Sequence, residues 1–176
     1  MLNSLKRWFA EDRGVAAIEF ALVGLPFIIM LVGIIEVCLF FSSAVSLEGA
    51  ANDAARMIRT GQVQASGNPI QLFKDEMCNQ VSGLITCAGL QYQVLPIANN
   101  SFANAAAIAP QFDAAGNLMN QGFYPGTSSQ DVLVRVVYRY VFLTPFLGKI
   151  ITGGKATQAT LMSTIIIKNE PYQFGQ

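Results

Sequence analysis

The chain has 176 residues, 52% of them hydrophobic and only 12% charged, about half the ~25% charged fraction of an ordinary soluble domain. Formal net charge is zero, so no bulk attraction draws the chain to nucleic acid. Histidine is absent, which removes the commonest general base and the commonest metal ligand, and no cofactor or metal is expected.

Residues 1–14 read as a leader. Leu2, Leu5, Trp8 and Phe9 recur at helical spacing with Lys6 and Arg7 between them, a pattern suited to resting on a membrane face. Lys6, Arg7 and Arg13 precede the apolar run that follows, and Arg56 and Arg59 come after it. This modest bias favours a cytoplasmic N-terminus and an exported C-terminal part. An ordinary secretory signal has an apolar core of roughly 7–15 residues and a small-residue cleavage site after it. Here the run is about twice that length and ends without Ala-x-Ala. Either the helix stays as an anchor or cleavage falls before it.

Residues 15–41 form the run itself, with Glu19 and Glu36 its two charged side chains. About 20 such residues cross the hydrocarbon core of a bilayer, so a single transmembrane helix is expected. Pro26 should kink or loosen it, and Gly24 and Gly33 would admit close helix contacts. Glu36 lies about 25 Å beyond Glu19 along an ideal helix, at the outer interface, where a solvated carboxylate is expected. Cys38 reads as a small membrane-buried hydrophobe.

Residues 42–62 continue the helix beyond the membrane. Ala44, Leu47, Ala51, Ala54 and Ile58 form an apolar stripe, while Glu48, Asn52 and Arg56 mark another face. Gly61 is the expected C-cap.

The arrangement Arg13-Gly14-Val15-Ala16-Ala17-Ile18-Glu19-Phe20 resembles the processing site of type IV prepilins. That resemblance implies a prepilin peptidase cutting between Gly14 and Val15 on the cytoplasmic side. Val15 would become the first mature residue, with Glu19 fifth and Phe20 sixth. It also implies that Glu19 meets the free amine of a neighbouring subunit on assembly. A carboxylate at that depth costs a few kcal/mol unless paired or protonated; a glutamate snorkelling to interfacial water is the plainer alternative. Glu19-Phe20, Pro26, Gly33-Ile-Ile-Glu36 and Ala50-Ala-Asn-Asp-Ala-Ala-Arg56 together resemble the N-terminal signature of TadE-like minor pilins, the pseudopilins of tight-adherence (Flp) pilus systems. The closing Lys168-Asn-Glu-Pro171 is also similar to that family. The resemblance implies other minor pilins and assembly-platform proteins as partners, an inner-membrane location with a periplasmic C-terminal domain, and no enzymatic activity. The chain is longer than the major pilin of such systems and shorter than their larger TadG-like members. An uncleaved signal-anchored periplasmic scaffold is the alternative.

Residues 63–176 are expected to be an α+β domain with a small antiparallel sheet. A helix from Gly67 to about residue 82 presents Phe73, Met77, Val81 and Leu84. Leu90 to Val94 alternates as a strand, which Pro96 ends or keeps at an edge. Residues 98–130 form a long loop, tacked to the sheet by Phe102, Phe112, Phe123 and Tyr124 or presenting them to a partner. Asp131 to Leu143 is the clearest strand. Val132, Val134, Val136, Tyr138, Tyr140 and Phe142 share one face, and Arg135 and Arg139 mark a solvated one. Pro145 stops it, residues 148–154 turn, and a last strand covers residues 156–168. Cys78 and Cys87 either form a disulfide, if the domain faces an oxidising compartment, or stay free thiols. Two thiols without histidine do not complete a zinc site. No nucleophile–base pair or phosphate loop is legible.

Overall fold

The computed structural model describes residues 12–81, 83–105, 107–154 and 157–173. The amphipathic pattern at Leu2, Leu5, Trp8 and Phe9 lies outside them. The chain divides into two compact units, Met1–Cys38 and Leu39–Gln176.

One helix, α1, runs Asp12–Arg59 and contains Pro26 without interruption. In the first unit its large apolar side chains stand outward, among them Phe20, Leu22, Val23, Ile28, Met30 and Ile35. The most apolar window of α1 has a mean hydropathy of 2.6, and only 6% of it is buried. The core helix of a soluble domain hides its apolar face. This one leaves it for lipid or for other helices, and by length and composition it is able to cross a membrane.

The second unit is an α+β domain. Its part of α1 buries Leu47, Ala50, Ala51, Ala54, Ala55 and Ile58, while Glu48, Asn52 and Arg56 face outward. Gly61 ends the helix with φ +79°, donating its N–H to the Ile58 carbonyl. A short α2, Gln62–Ala65, leads into α3, Pro69–Val81. The Asn68 Oδ1 accepts the Gln71 N–H at 3.3 Å, which caps α3. Phe73, Met77 and Val81 are buried as the spacing requires, but Leu84 is exposed and Ile85 is buried instead. The helix stops at Val81, so the 3.6-residue period no longer governs the next residues.

The sheet has the order β2-β1-β3-β4, with β1 Leu90–Pro96, β2 Gly122–Phe123, β3 Asp131–Val141 and β4 Gln158–Lys168. The β1–β3 and β3–β4 ladders are antiparallel. The pair β1–β2 is parallel, with Gln93 opposite Gly122 and Val94 opposite Phe123. The sheet is therefore mixed, not purely antiparallel. The parallel pair arises because the 98–130 segment crosses over before returning to the sheet; its described residues include a 3-10 turn Ala98–Asn100, α4 Phe102–Ala105 and β2. Pro96 closes β1. The Ile97 N–H points to the Asp131 carbonyl of β3 at 2.8 Å, so the Pro96 nitrogen faces the other side, past the end of β2, and forfeits no ladder bond.

Residues 145–151 are helical (α5, Pro145–Ile151), with Thr144 as N-cap and Pro145 in the first turn, so of the turn expected over 148–154 only residues 152–154 are turn. Gly148 permits this: a Cβ there would stand 3.1 Å from Phe142 Cβ and 3.1 Å from the Thr157 Cα. The helix thus lies directly on the strand ends.

One face of the sheet packs on α1 and α3 through Val94, Val132, Val134, Val136 and Leu161. Phe40 of α1 meets Tyr140 and Phe142 with ring centroids 5.3 and 5.5 Å apart. The opposite face holds a second small core of Ile97, Ala105 and Leu133, with Ile108 against it.

Candidate processing and assembly segment

Gly14, Val15, Glu19 and Phe20 all lie on the first turns of α1 and are exposed. A Cβ on Gly14 would meet nothing within 4 Å, and its φ is not left-handed. Among the described residues, nothing packed around Gly14 requires glycine there. Val15 and Glu19 are four residues apart and so share one helix face, one turn from each other. Around Glu19 the surface is apolar, with Ile18, Leu22 and Val23 all outward. The Phe20 ring leans along the helix to 3.6 Å from where a Gly24 Cβ would be.

Glu36 is not the solvated interfacial carboxylate expected from its depth. It is only 2% exposed and takes part in an interaction. A carboxylate is retained in a buried place when something there compensates the lost water, and the helix position alone carries no sign of that.

In the second unit the two arginines of β3 part company with the sequence reading. Arg135 is 3% exposed. Its guanidinium donates to Gln93 Oε1 at 2.7 Å, to the Ile108 carbonyl at 2.7 Å and to Thr164 Oγ1 at 3.3 Å. Gln93, Arg135 and Thr164 are register partners on three adjacent strands, and Ile108 belongs to the covering segment. Burial lowers the pKa of Arg135 from its ordinary value, yet a guanidinium starts so high that it keeps its charge. Leu133 and Val137, its neighbours on the same face, are fully buried. Those two apolar residues were the signal in the sequence that this face is covered. Arg139 donates to Asn117 Oδ1 at 3.2 Å and to Gln158 Oε1.

The long segment is therefore held mainly by polar contacts. Gln93 Nε2 donates to the Asn120 carbonyl at 3.1 Å and Gln91 Nε2 to Asn117 Oδ1 at 3.1 Å. Of the four aromatics expected to tack it down, only Phe123 does so, 5.1 Å from the Phe73 ring. Phe102, Phe112 and Tyr124 are exposed.

The closing Asn169-Glu-Pro motif is a clasp. Asn169, 2% exposed, donates through Nδ2 to the Pro125 and Thr127 carbonyls at 3.0 and 2.9 Å. Glu170 pairs with Arg59 at 3.3 Å, and its N–H reaches the Arg59 carbonyl at 2.9 Å. The motif thus ties the end of β4 to the end of α1. Asn169 was not singled out from the sequence, because its partners lie more than forty positions away.

Cys78 and Cys87 are joined in a disulfide with Cα atoms 5.5 Å apart, linking α3 to the turn before β1. Beside it a groove of about 400 Å³ is lined by Phe73, Lys74, Asp75, Met77 and Tyr92. The Lys74 ammonium stands 5.2 Å over the Tyr92 ring, an interaction internal to the domain.

Comparison with known proteins gives one positive finding. Residues 14–56 match the family described as TadE-like protein. The match opens on the glycine, runs through Glu19, Phe20 and Glu36, and ends in the alanine-rich stretch that packs on the sheet. No curated protein and no solved structure matches the chain.

Proposed function

We propose, from the premise that residues 14–56 are a TadE-like segment, that the protein is a minor pilin (pseudopilin) supporting assembly of a tight-adherence pilus. A prepilin peptidase removes residues 1–14 at the cytoplasmic face. The mature chain then remains a single-pass inner-membrane protein with its α+β domain in the periplasm until assembly.

The observation that carries this reading is the pairing of an internally unneeded glycine with an exposed carboxylate in an apolar helix. Among the described residues nothing lies within 4 Å of where a Gly14 Cβ would stand, so packing within them does not account for the glycine. A peptidase that draws the backbone close would account for it. Glu19 stands outward among Ile18, Leu22 and Val23, where a charge costs a few kcal/mol without a counter-charge. Cleavage before Val15 creates an amine one turn from it, at the depth where a neighbouring helix presents the same pair. The outward apolar surface of α1 supports the same reading, since it suits lipid first and other pilin helices later. The disulfide fits an oxidising compartment.

The test is the intact mass of the protein taken from its native membrane, with and without an active prepilin peptidase. Loss of residues 1–14 only in the presence of the peptidase is expected. A full-length chain in cells whose other prepilins are cleaved would overturn the processing and leave an uncleaved periplasmic scaffold as the reading.

A further inference from the structure

The hairpin between β3 and β4 carries an apolar surface that the domain does not use. Val141, Leu143, Phe146, Ile150 and Ile151 are all exposed, Leu143 to 78% and Phe146 to 64%. They cluster within one short stretch, and Lys149 is the exposed cation among them. Gly148 turns the opposite side of α5 onto Phe142, which fixes Phe146 and Ile150 outward. Scattered exposed apolar residues need no explanation, but five in one hairpin do.

The position of the hairpin decides what covers it. The apolar run of α1 ends at Phe41, and Phe40 packs on Tyr140 and Phe142. The residues leading into the hairpin therefore stand beside the point where the chain leaves the bilayer. At the other end of the same strands, Asp131 pairs with Lys168, and the following residue but one, Glu170, pairs with Arg59. The hairpin is thus at the end of the sheet that adjoins Phe40. A lipid interface favours aromatic and aliphatic side chains at acyl-boundary depth with a basic residue reaching the headgroups, and Phe146, Ile150 and Lys149 supply that combination.

We propose that the β3–β4 hairpin dips into the outer leaflet of the membrane that α1 crosses, so that the domain is held to the lipid surface at a second point. Leu143, Phe146 and Ile150 insert, and Lys149 meets anionic headgroups. This rests on α1 spanning the bilayer and is independent of cleavage or pilus assembly.

The experiment uses the full chain with its one tryptophan removed, Trp8→Phe, in vesicles of phosphatidylethanolamine and phosphatidylglycerol with or without brominated acyl chains. Single tryptophans are introduced as Phe27→Trp in the span, Phe146→Trp in the hairpin and Tyr124→Trp as an exposed residue beside the other end of β1. All three sites are already aromatic and exposed, so folding is undisturbed. Brominated lipid should quench Phe27→Trp and Phe146→Trp and leave Tyr124→Trp unquenched, while aqueous iodide does the reverse. Quenching at residue 27 with iodide access at residue 146 equal to that at residue 124 would overturn the hairpin insertion alone. Protection at residue 146 from both quenchers would also overturn it, and would assign the patch to a second protein surface. Failure of quenching at residue 27 would remove the span and the proposal with it.

Discussion

Arg135 is a fixed positive charge held by three neutral oxygens. Its fork spans β1, β4 and the covering segment at once, which an ammonium on a flexible stem does not reproduce. Arg135→Met should leave Gln93 Oε1 and the Ile108 carbonyl without their donor, at ~1–3 kcal/mol for each buried group left unsatisfied. Amide exchange should rise in residues 101–120 before it rises in the β3–β4 ladder, and Arg135→Lys should recover only part of the loss. Unchanged exchange in that segment would mean that its apolar contacts suffice. Asp113 makes a smaller, pH-dependent contribution in the same segment. Its side chain accepts from the Asn117 side chain at 3.0 Å and from the Asn117 backbone at 2.7 Å, and chiefly the former holds its pKa below the ordinary 3.8. The folded form thus binds the proton less readily than the unfolded one. Its support is complete above the ordinary carboxylate value and is lost as pH falls through the lowered one. The chemical shifts of Asn117 and Leu118 should follow that titration, and Asp113→Asn should abolish it.

Among the elements, α1 is the one whose two lives are written in one repeat. Ala50, Ala51, Ala54 and Ala55 are each at most 1% exposed, so between Leu47 and Ile58 the helix presents mainly methyl groups to the core. Ala54→Leu should overpack this seam and cost ~1–3 kcal/mol, read as a lower thermal midpoint of the domain; a neutral result would show slack in the seam. Such periodic features were legible in the sequence: the stripe from Leu47 to Ile58, the face from Phe73 to Val81, and the alternation of β3. What was not legible arose from long-range contact. Two residues of β2 are too few to show a period, and its parallel pairing follows from where residues 98–121 cross the sheet. Arg135 looked solvated because arginines usually are; its cover comes from Ile108, across a stretch with no pattern of its own. Glu36 sits in a helix whose period reports only its own face, not what buries it. Gly14, Glu19 and Phe20 were read from a fixed local spacing, and the structure places all three exposed on the first turns of α1.

For the molecule as a whole, two covalent features set the limits. The disulfide closes a loop of nine positions, and replacing Cys78 and Cys87 with serine should lower stability by ~2.5–3 kcal/mol in the chain-entropy model, measured as a shift in urea midpoint. On the proposed reading, the cut after Gly14 and the carboxylate at Glu19 serve different steps. Glu19→Ala should still be processed, at least in part, yet be missing from sheared pili. Wild-type levels of piliation by that variant would contradict the pairing of Glu19 with an amine.

The β3–β4 ladder has a mechanical consequence. From Phe40 beside Tyr140 to Arg59 beside Glu170, the second unit's part of α1 runs alongside β3 in the opposite sense. A force directed along this part of α1 would therefore act along the strands, not across them. The neighbouring ladder pairs eleven residues of each strand, from Asp131–Lys168 to Val141–Gln158, and a load along such strands strains those pairs together and not one after another.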